Sequence, residues 1–372
     1  MCSTDAYVNL HAISFYYLIY FLITKILHID GLAFLCSLID FRYVFQRLID
    51  LGDFMKTAFI RLFKPVLGLA SASLLSFGLA TSAYAASAIP EGPLVSTEWL
   101  ADNLNNEHLR IIEVSVNPGV YERGHIPGAV NFSWHKDLND TVRRDIVSKE
   151  AFEKLLSKSG VAQDSTVIIY GDTNNWFAAW GAWVFDIYNV ANVKLLDGGR
   201  VKWEKENRPL TNRVPEFKAT DYKVTKVNTE LRAFLADTLA AAEGKSDVKL
   251  VDIRSADEYS GKIFAPAGVP ELSIRAGHVP GAANVPWGKA VNEDGTFKSA
   301  ADLKKIYADV GVDGSKPVIT YCRIGERSSH TWFALSKILG YKVKNYDGSW
   351  TEYGNAVGVP INNPTGTIFA AK

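Results

Sequence analysis

A single cysteine is surrounded by residues that favour negative charge in the stretch TYCRIGERSSHTW, residues 320–332. Cys322 follows an apolar run and precedes a segment with helical spacing. Arg323 and Arg327 lie on either side of Gly325, whose missing side chain permits the backbone angles of a tight loop. In a parallel α/β sheet, ligands bind beyond the carboxyl ends of the strands, where the next helix begins. The stretch therefore predicts a thiol at the centre of an anion-binding loop.

Such a loop would hold an anionic substrate over an anionic nucleophile. Its backbone N–H groups, the start of the next helix and two guanidinium groups all favour negative charge. The same field is expected to lower the pKa of the Cys322 thiol, so that the thiolate is well populated at neutral pH. We expect the helix to begin at Ser328 or Ser329 and to include His330. Glu326 is either solvated or controls the access of an acceptor, and the sequence leaves both open.

The elements that position this loop occur twice in the chain. RGHIPGAVNFSW at 123–134 reappears as RAGHVPGAANVPW at 275–287. A strand-like run ending in an acid, Glu113 or Asp252, precedes each block. A second apolar run and an Asp-Gly turn follow each block. Because four blocks recur in the same order, the chain is predicted to contain two copies of one structural unit.

Helical segments separate the strand-like runs of both copies. Residues 148–159 and 299–310 each open with a serine suited to a helix cap and repeat apolar residues at helical spacing. Short β-branched runs that alternate with such helices indicate βαβ units. We predict two α/β domains, at 91–215 and 222–368, each a mainly parallel sheet with helices on both faces.

The two copies differ at the nucleophile. Where the second copy has Cys322 and Arg323, the first has Gly171 and Asp172, so the first domain is expected to be catalytically silent. A residue shared by a silent copy and an active one is predicted to be structural rather than catalytic.

His125 and His278 lie in the repeated blocks and are therefore predicted to be hydrogen-bonded structural residues. Asp252 and Arg254 are predicted to form a structural ion pair at the end of a strand.

The first 85 residues do not read as part of the fold. Residues 55–85 have a basic start, an apolar stretch of small residues and an A-x-A cleavage site ending at Ala85. This pattern predicts a signal peptide and a periplasmic or secreted protein that begins at Ala86. Residues 1–54 are then a non-native upstream extension before the initiator Met55, or alternatively a membrane anchor. Of the three cysteines, only Cys322 would survive cleavage.

The charge composition of the chain limits the kinds of binding partner. The chain has 40 basic and 40 acidic residues, and this balance argues against nucleic acid or an anionic membrane as the partner.

CRIGERS at 322–328 resembles the active-site loop of thiosulfate sulfurtransferases, the rhodanese family. The repeated GHxPGAxN block and VDIRSADEY at 251–259 also match that family, and residues 95–362 look like its tandem two-domain form. The resemblance implies that a Cys322 thiolate takes the outer sulfur of thiosulfate, releases sulfite and passes the sulfur from a persulfide to cyanide or a thiol. It implies a small-molecule donor and acceptor and no metal or organic cofactor. The residues expected to bind substrate are Arg323, Ile324, Gly325, Glu326, Arg327, Ser328 and Arg200, the last near the place where tandem members supply an extra arginine.

Three other functions remain open. A cysteine phosphatase would need C-x5-R, but Arg327 completes a C-x4-R loop that is one residue shorter. A 3-mercaptopyruvate sulfurtransferase usually has small neutral residues after the cysteine, where this chain has Arg323. A persulfide carrier that hands sulfur to a partner protein would use the same Cys322 chemistry.

Overall fold

The structure, a computed structural model, describes residues 88–270 and 272–368. The segments predicted as an upstream extension (1–54) and a signal peptide (55–85) lie outside the described residues. Two α/β domains follow one another along the chain, each with a five-stranded parallel sheet flanked by helices, as the alternating pattern predicted. Among the described residues, no helix is long and apolar enough to cross a membrane.

The first domain contains a five-stranded sheet and a short hairpin. Its strands are β1 (Leu94–Val95), β2 (Leu109–Glu113), β3 (Ala129–Asn131), β4 (Asn139–Asp140), β5 (Asp145–Ile146), β6 (Thr166–Tyr170) and β7 (Val193–Leu196). Its helices are α1 (Thr97–Asp102), α2 (Val120–Arg123), α3 (Lys149–Lys158), α4 (Trp176–Ile187) and α5 (Gly199–Lys205). The sheet runs in the order β1-β7-β6-β2-β3 with every pair parallel, and β4 pairs with β5 in antiparallel fashion.

The second domain repeats this topology. Its strands are β8 (Arg232–Ala233), β9 (Lys249–Asp252), β10 (Ala283–Asn284), β11 (Val318–Tyr321) and β12 (Val343–Tyr346). Its helices are α6 (Leu235–Ala242), α7 (Ala256–Ser260), α8 (Ala300–Ala308), α9 (Glu326–Trp332) and α10 (Ser349–Tyr353). The parallel order β10-β9-β11-β12-β8 is the first sheet's order read backwards, so β11 and β6 are the matching central strands.

Serine caps start two helices where the sequence predicted them. The Ser148 hydroxyl accepts the Ala151 N–H at the start of α3. The Ser299 hydroxyl accepts the Asp302 N–H at the start of α8. Each cap satisfies a backbone donor that the first turn leaves unpaired.

Helix α9 begins earlier than predicted, at Glu326 rather than at Ser328 or Ser329. Gly325 takes a left-handed φ of 98° and turns the chain directly into the helix. The hydroxyls of Ser328 and Ser329 instead donate to the Gly325 carbonyl, at 3.0 and 2.7 Å. Both serines therefore hold the loop from inside the first helical turn, and His330 lies in this helix as expected.

The largest hydrophobic core spans one face of each sheet and the contact between the domains. Helices α4 and α9 pack against each other across this contact. The rings of Trp176 and Trp287 meet edge to face, with centroids 4.9 Å apart. Separate clusters cover the opposite face of each sheet. Cys322 belongs to the shared core, so the predicted active-site loop lies on the side of its domain that faces the first domain.

The two repeated histidines are structural, as predicted. His125 Nδ1 is bonded to the Tyr121 carbonyl at 2.9 Å, and its ring stacks on Tyr121. His278 Nδ1 is bonded to the Tyr259 carbonyl at 2.7 Å, and its ring stacks on Tyr259. These rings fasten the repeated block of each domain to a preceding helix.

Candidate active site

Cys322 lies directly after β11, the central strand of the second sheet. The Gly325 N–H donates to the cysteine Sγ at 3.1 Å, which closes a tight loop around the sulfur. The backbone of Cys322 is held by the N-terminus of α10: its N–H donates to Ser349 Oγ at 3.0 Å, and its carbonyl accepts the Trp350 N–H at 3.0 Å. The side chain is completely buried. The sulfur therefore has a fixed position with a backbone donor aimed at it.

Gly325 has no room for a side chain. A Cβ built on it would lie 2.9 Å from both the Cα and the carbonyl oxygen of Asp347 and would collide with Oδ1 of the same residue. Its φ of 98° also lies in the region that side chains rarely adopt. The loop thus depends on glycine for both its backbone angles and its close packing.

Gly325→Ala is expected to destabilise the protein and to lower its sulfur-transfer rate. Gly340→Ala is the matched control, because Gly340 also has a left-handed φ, 72°, but has nothing within 4 Å of the added carbon. Both variants carry the backbone strain, and the collision adds about 1–3 kcal/mol for Gly325 alone. Urea unfolding measures the difference, and equal losses in the two variants would show that the contact with Asp347 is not tight.

The pKa of the Cys322 thiol is raised, in contrast to the lowering expected from the sequence. Burial is the main cause, because a thiolate loses its hydration inside the protein. The carboxylate of Glu326 adds to the rise, and the charge of Arg327 opposes it without reversing it. The residue types near the thiol were identified correctly, but burial of the thiol beside the Glu326 carboxylate gave its pKa shift the opposite sign.

Glu326 points at the sulfur. Its Oε2 lies 3.5 Å from Cys322 Sγ, and the residue is only 5% exposed. The solvated alternative for Glu326 is therefore wrong in this structure. The alternative in which Glu326 controls the access of an acceptor stays a prediction.

Arg327 forms an ion pair with a residue that the sequence did not indicate. Its two terminal nitrogens donate to the two carboxylate oxygens of Glu258, at 3.1 and 3.0 Å. Both side chains are buried, with 8% and 0% of their surface exposed. The guanidinium therefore braces the loop against α7, and its role in binding an anion stays a prediction.

The other predicted loop residues have different roles. Arg323 Nη1 donates to the Pro270 carbonyl at 3.3 Å and so ties the loop to the segment before the repeated block. Ile324 is half-buried. The hydroxyl of Ser328 is buried within 2.6 Å of Asn345 Oδ1, beneath the loop. Of the predicted loop residues, Gly325 and Glu326 hydrogen-bond with the thiol, and hydrogen bonds from Ser328 lower the thiol pKa. Arg323 and Arg327 hold the loop against other segments.

Arg200 lies within the first domain and is not brought to the Cys322 loop. Its guanidinium binds Glu113 at 2.9 Å, Glu204 at 2.7 Å and the Gly124 carbonyl. In the second domain, Arg254 forms the predicted ion pair with Asp252 and also donates to the Gly277 carbonyl. Arg200 is thus a structural counterpart of Arg254, supplied from helix α5 rather than from the turn after the acidic strand, and its assignment as a substrate-binding residue is corrected.

Arg144 is the arginine that the first domain supplies to the loop. It lies in the β4–β5 hairpin with a left-handed φ of 53°. It forms an ion pair with Asp347 and donates to the Ile324 carbonyl at 3.0 Å. Trp180 of α4 donates to the same Asp347 at 2.8 Å. No sequence motif distinguished Arg144 from its neighbour Arg143, because only the packing of the two domains selects it.

Comparison with known proteins identifies the family. The rhodanese-like domain model matches residues 96–206 and 235–356. The chain belongs to the rhodanese family. Among the described residues of this rhodanese, no group of three or more His, Cys, Asp or Glu side chains could hold a metal ion.

Three relatives show the range of names attached to similar chains. A protein of Saccharopolyspora erythraea named "Putative thiosulfate sulfurtransferase" is 54% identical over 276 residues, or 74% of this chain and 97% of the relative. A sulfur carrier protein of Thermus thermophilus is 48% identical and covers 72% of this chain and 95% of its own. The solved structure of an Escherichia coli 3-mercaptopyruvate sulfurtransferase is 28% identical, with a TM-score of 0.59 over 69% of this chain and 98% of that one. These names support sulfur transfer as the general activity.

The first rhodanese domain cannot carry the same thiol. Gly171 follows β6 as Cys322 follows β11, but a side chain there would collide with the Val114 carbonyl. The next residue, Asp172, accepts the N–H groups of Val116 and Asn117 at 3.1 and 2.9 Å. The geometry of the first copy thus excludes a nucleophile at this position.

Proposed function

We propose that this rhodanese transfers the sulfane sulfur of thiosulfate through a persulfide on Cys322. The cysteine thiolate attacks the outer sulfur of thiosulfate, the sulfur–sulfur bond breaks, and its electron pair leaves with sulfite. Cyanide or a thiolate then attacks the outer sulfur of the persulfide. The bond to Sγ breaks and the cysteine thiolate is regenerated, so that no cofactor is consumed.

The observation on which this proposal rests is the Gly325 N–H that donates to the buried Cys322 Sγ at 3.1 Å. A backbone donor fixed on the sulfur stabilises negative charge as it moves between thiolate and persulfide, without needing to reorganise. The site lies at the carboxyl end of a central parallel strand, where the α/β architecture places ligands.

The contact between Arg327 and Glu258 argues against a cysteine phosphatase. A phosphatase loop needs a guanidinium for the equatorial phosphate oxygens, and both terminal nitrogens of Arg327 are already bound to a carboxylate. Transfer from 3-mercaptopyruvate and delivery of sulfur to a partner protein stay as alternatives, supported by the names of two relatives. Thiosulfate is preferred because relatives at 54% and 55% identity are named for it.

Intact mass spectrometry tests the proposal. The purified protein is expected to gain one sulfur atom when mixed with thiosulfate and to lose it on addition of cyanide, with formation of thiocyanate. A parallel reaction with 3-mercaptopyruvate ranks the two donors on one preparation. Faster loading from 3-mercaptopyruvate would show that it, and not thiosulfate, is the preferred donor, and the persulfide mechanism would stand. No loading from either compound would refute the persulfide.

We also propose that residues 55–85 direct export and that the working enzyme begins at Ala86. The basic start, the apolar stretch and the A-x-A site support this. The same mass measurement on protein recovered from the periplasm or medium of its host gives the N-terminus directly. Protein that still contains Cys2 and Cys36 would contradict export by this signal.

A further inference from the structure

A buried carboxylate touches the sulfur that changes charge during the proposed reaction. Glu326 Oε2 lies 3.5 Å from Cys322 Sγ and accepts a hydrogen bond from the thiol. The nearest cation is Arg327, whose Nε is 3.9 Å from the other carboxylate oxygen. Burial of a carboxylate is costly unless it is well paired.

The neighbouring acid Glu258 shows what a structural carboxylate looks like in the same site. It is fully buried and accepts two hydrogen bonds from Arg327 and others from the N–H and hydroxyl of Ser255. Among the described residues, the thiol is the one hydrogen-bond partner of the Glu326 carboxylate. Since Arg327 is engaged mainly by Glu258, Glu326 is bound to the reacting atom rather than to the scaffold.

The silent domain offers a second comparison. Asn175 lies four residues after Gly171, as Glu326 lies four residues after Cys322. The amide of Asn175 accepts the Gly171 N–H at 2.9 Å and donates to the Leu196 carbonyl at 2.8 Å. An amide that only braces the backbone thus suffices where there is no thiol, and the acid occurs in the copy that has one.

We propose that Glu326 is the catalytic acid–base group of the Cys322 site. The proposal rests on the persulfide mechanism above. Glu326 takes the proton from the thiol, and the thiolate attacks the donor sulfur, so that the persulfide anion and a protonated Glu326 result as sulfite leaves. When an acceptor removes the outer sulfur, the bonding pair returns to Sγ and Glu326 gives its proton back to the thiolate. Cys322 and Glu326 therefore share one proton, which is on the thiol both before and after each turnover.

This role explains how a thiol with a raised pKa can react. Burial disfavours the free thiolate, but an internal transfer to Glu326 leaves the net charge of the site unchanged. It also removes the negative charge of Glu326 at the moment when the thiosulfate dianion arrives. The charged groups around the carboxylate are Cys322 on the loop, Arg327 on α9, Glu258 on α7, and Asp347 with Arg144 on the other side of Gly325.

The test is the pH dependence of sulfur loading, measured by rapid quenching and intact mass in wild type, Glu326→Gln and Glu326→Asp. Thiosulfate does not titrate in the neutral range, so the profile reports the protein. In wild type the thiol proton passes to Glu326 within the site rather than to solvent, so loading should be independent of pH between about pH 6 and 8. In Glu326→Gln the thiol must lose its proton to solvent, and loading should rise about tenfold per pH unit below the thiol pKa. Glu326→Asp keeps an acid and should keep the flat profile at a lower rate.

The outcomes distinguish failure of the acid–base role of Glu326 from failure of the persulfide mechanism. A Glu326→Gln profile parallel to that of wild type, lower only by a constant factor, would reduce Glu326 to a structural residue and overturn the inference. A Glu326→Asp profile that rises as in Glu326→Gln would also overturn it, because an acid would then not suffice. Wild type that loads no sulfur at any pH would instead refute the persulfide mechanism itself.

Discussion

Cys322→Ser is expected to abolish sulfur transfer and leave the fold intact. A serine hydroxyl is not ionised at neutral pH and cannot form a persulfide, so no substitute nucleophile remains. Loss of the atom that carries the intermediate should lower turnover on the order of 10³-fold or more. The hydroxyl still accepts the Gly325 N–H and donates to Glu326, the two polar contacts nearest the sulfur in the wild type. The variant should therefore unfold at nearly the same urea concentration.

The matched control is the same substitution at the other cysteines, Cys2→Ser and Cys36→Ser together in the full chain. These changes should leave the gain of one sulfur atom from thiosulfate intact. If a folded Cys322→Ser protein still gained sulfur, or still formed thiocyanate above the rate of the reagents alone, the nucleophile would lie elsewhere.

Glu258→Gln is expected to destabilise the second domain by about 3–5 kcal/mol, because it removes the hydrogen-bonded counter-charge of the buried Arg327 guanidinium and leaves only the more distant Glu326 carboxylate, 3.9 Å from Nε. Asp257→Asn is the matched control on the neighbouring position of α7. Its ion pair with Lys262 has 51% and 65% of the two side chains exposed, so its loss should cost less than about 1 kcal/mol. Urea denaturation measures both variants, and equal shifts would show that the Arg327–Glu258 contact contributes little.

The effect of Glu258 should also depend on pH in a defined direction. Burial alone would raise the pKa of Glu258, but the hydrogen bonds and charge of Arg327 outweigh it and leave the pKa lowered. A carboxyl with a lower pKa in the folded state binds protons first in the unfolded state, so its contribution to stability is complete above the ordinary glutamate pKa, about 4.3. That contribution is lost as the pH falls further. The difference in stability between wild type and Glu258→Gln should therefore shrink below about pH 4. A difference that grows on acidification would contradict the lowered pKa.

The repeat, the class of fold and the position of the nucleophile could all be predicted from the amino-acid sequence. These features are local, and neighbouring residues suffice to specify them. Ser148 and Ser299 cap helices within three residues of themselves. Cys322 follows a strand and Gly325 turns the chain within the same loop, so covalent adjacency brings the backbone donor to the sulfur.

Which charges reach the thiol, and which are neutralised, depends on the folded arrangement of distant segments. Arg327 pairs with Glu258, 69 residues away in the sequence, and Arg144 pairs with Asp347, 203 residues away. Arg200, which resembled a substrate-binding arginine in sequence, is instead engaged by Glu113 of its own domain. Burial of Cys322 and the carboxylate of Glu326 raise the thiol pKa, and for that reason its direction was opposite to the lowering expected from the arginines next to Cys322. The effect of a charge on the thiol depends on its distance from the sulfur and on its exposure to solvent, and folding determines both.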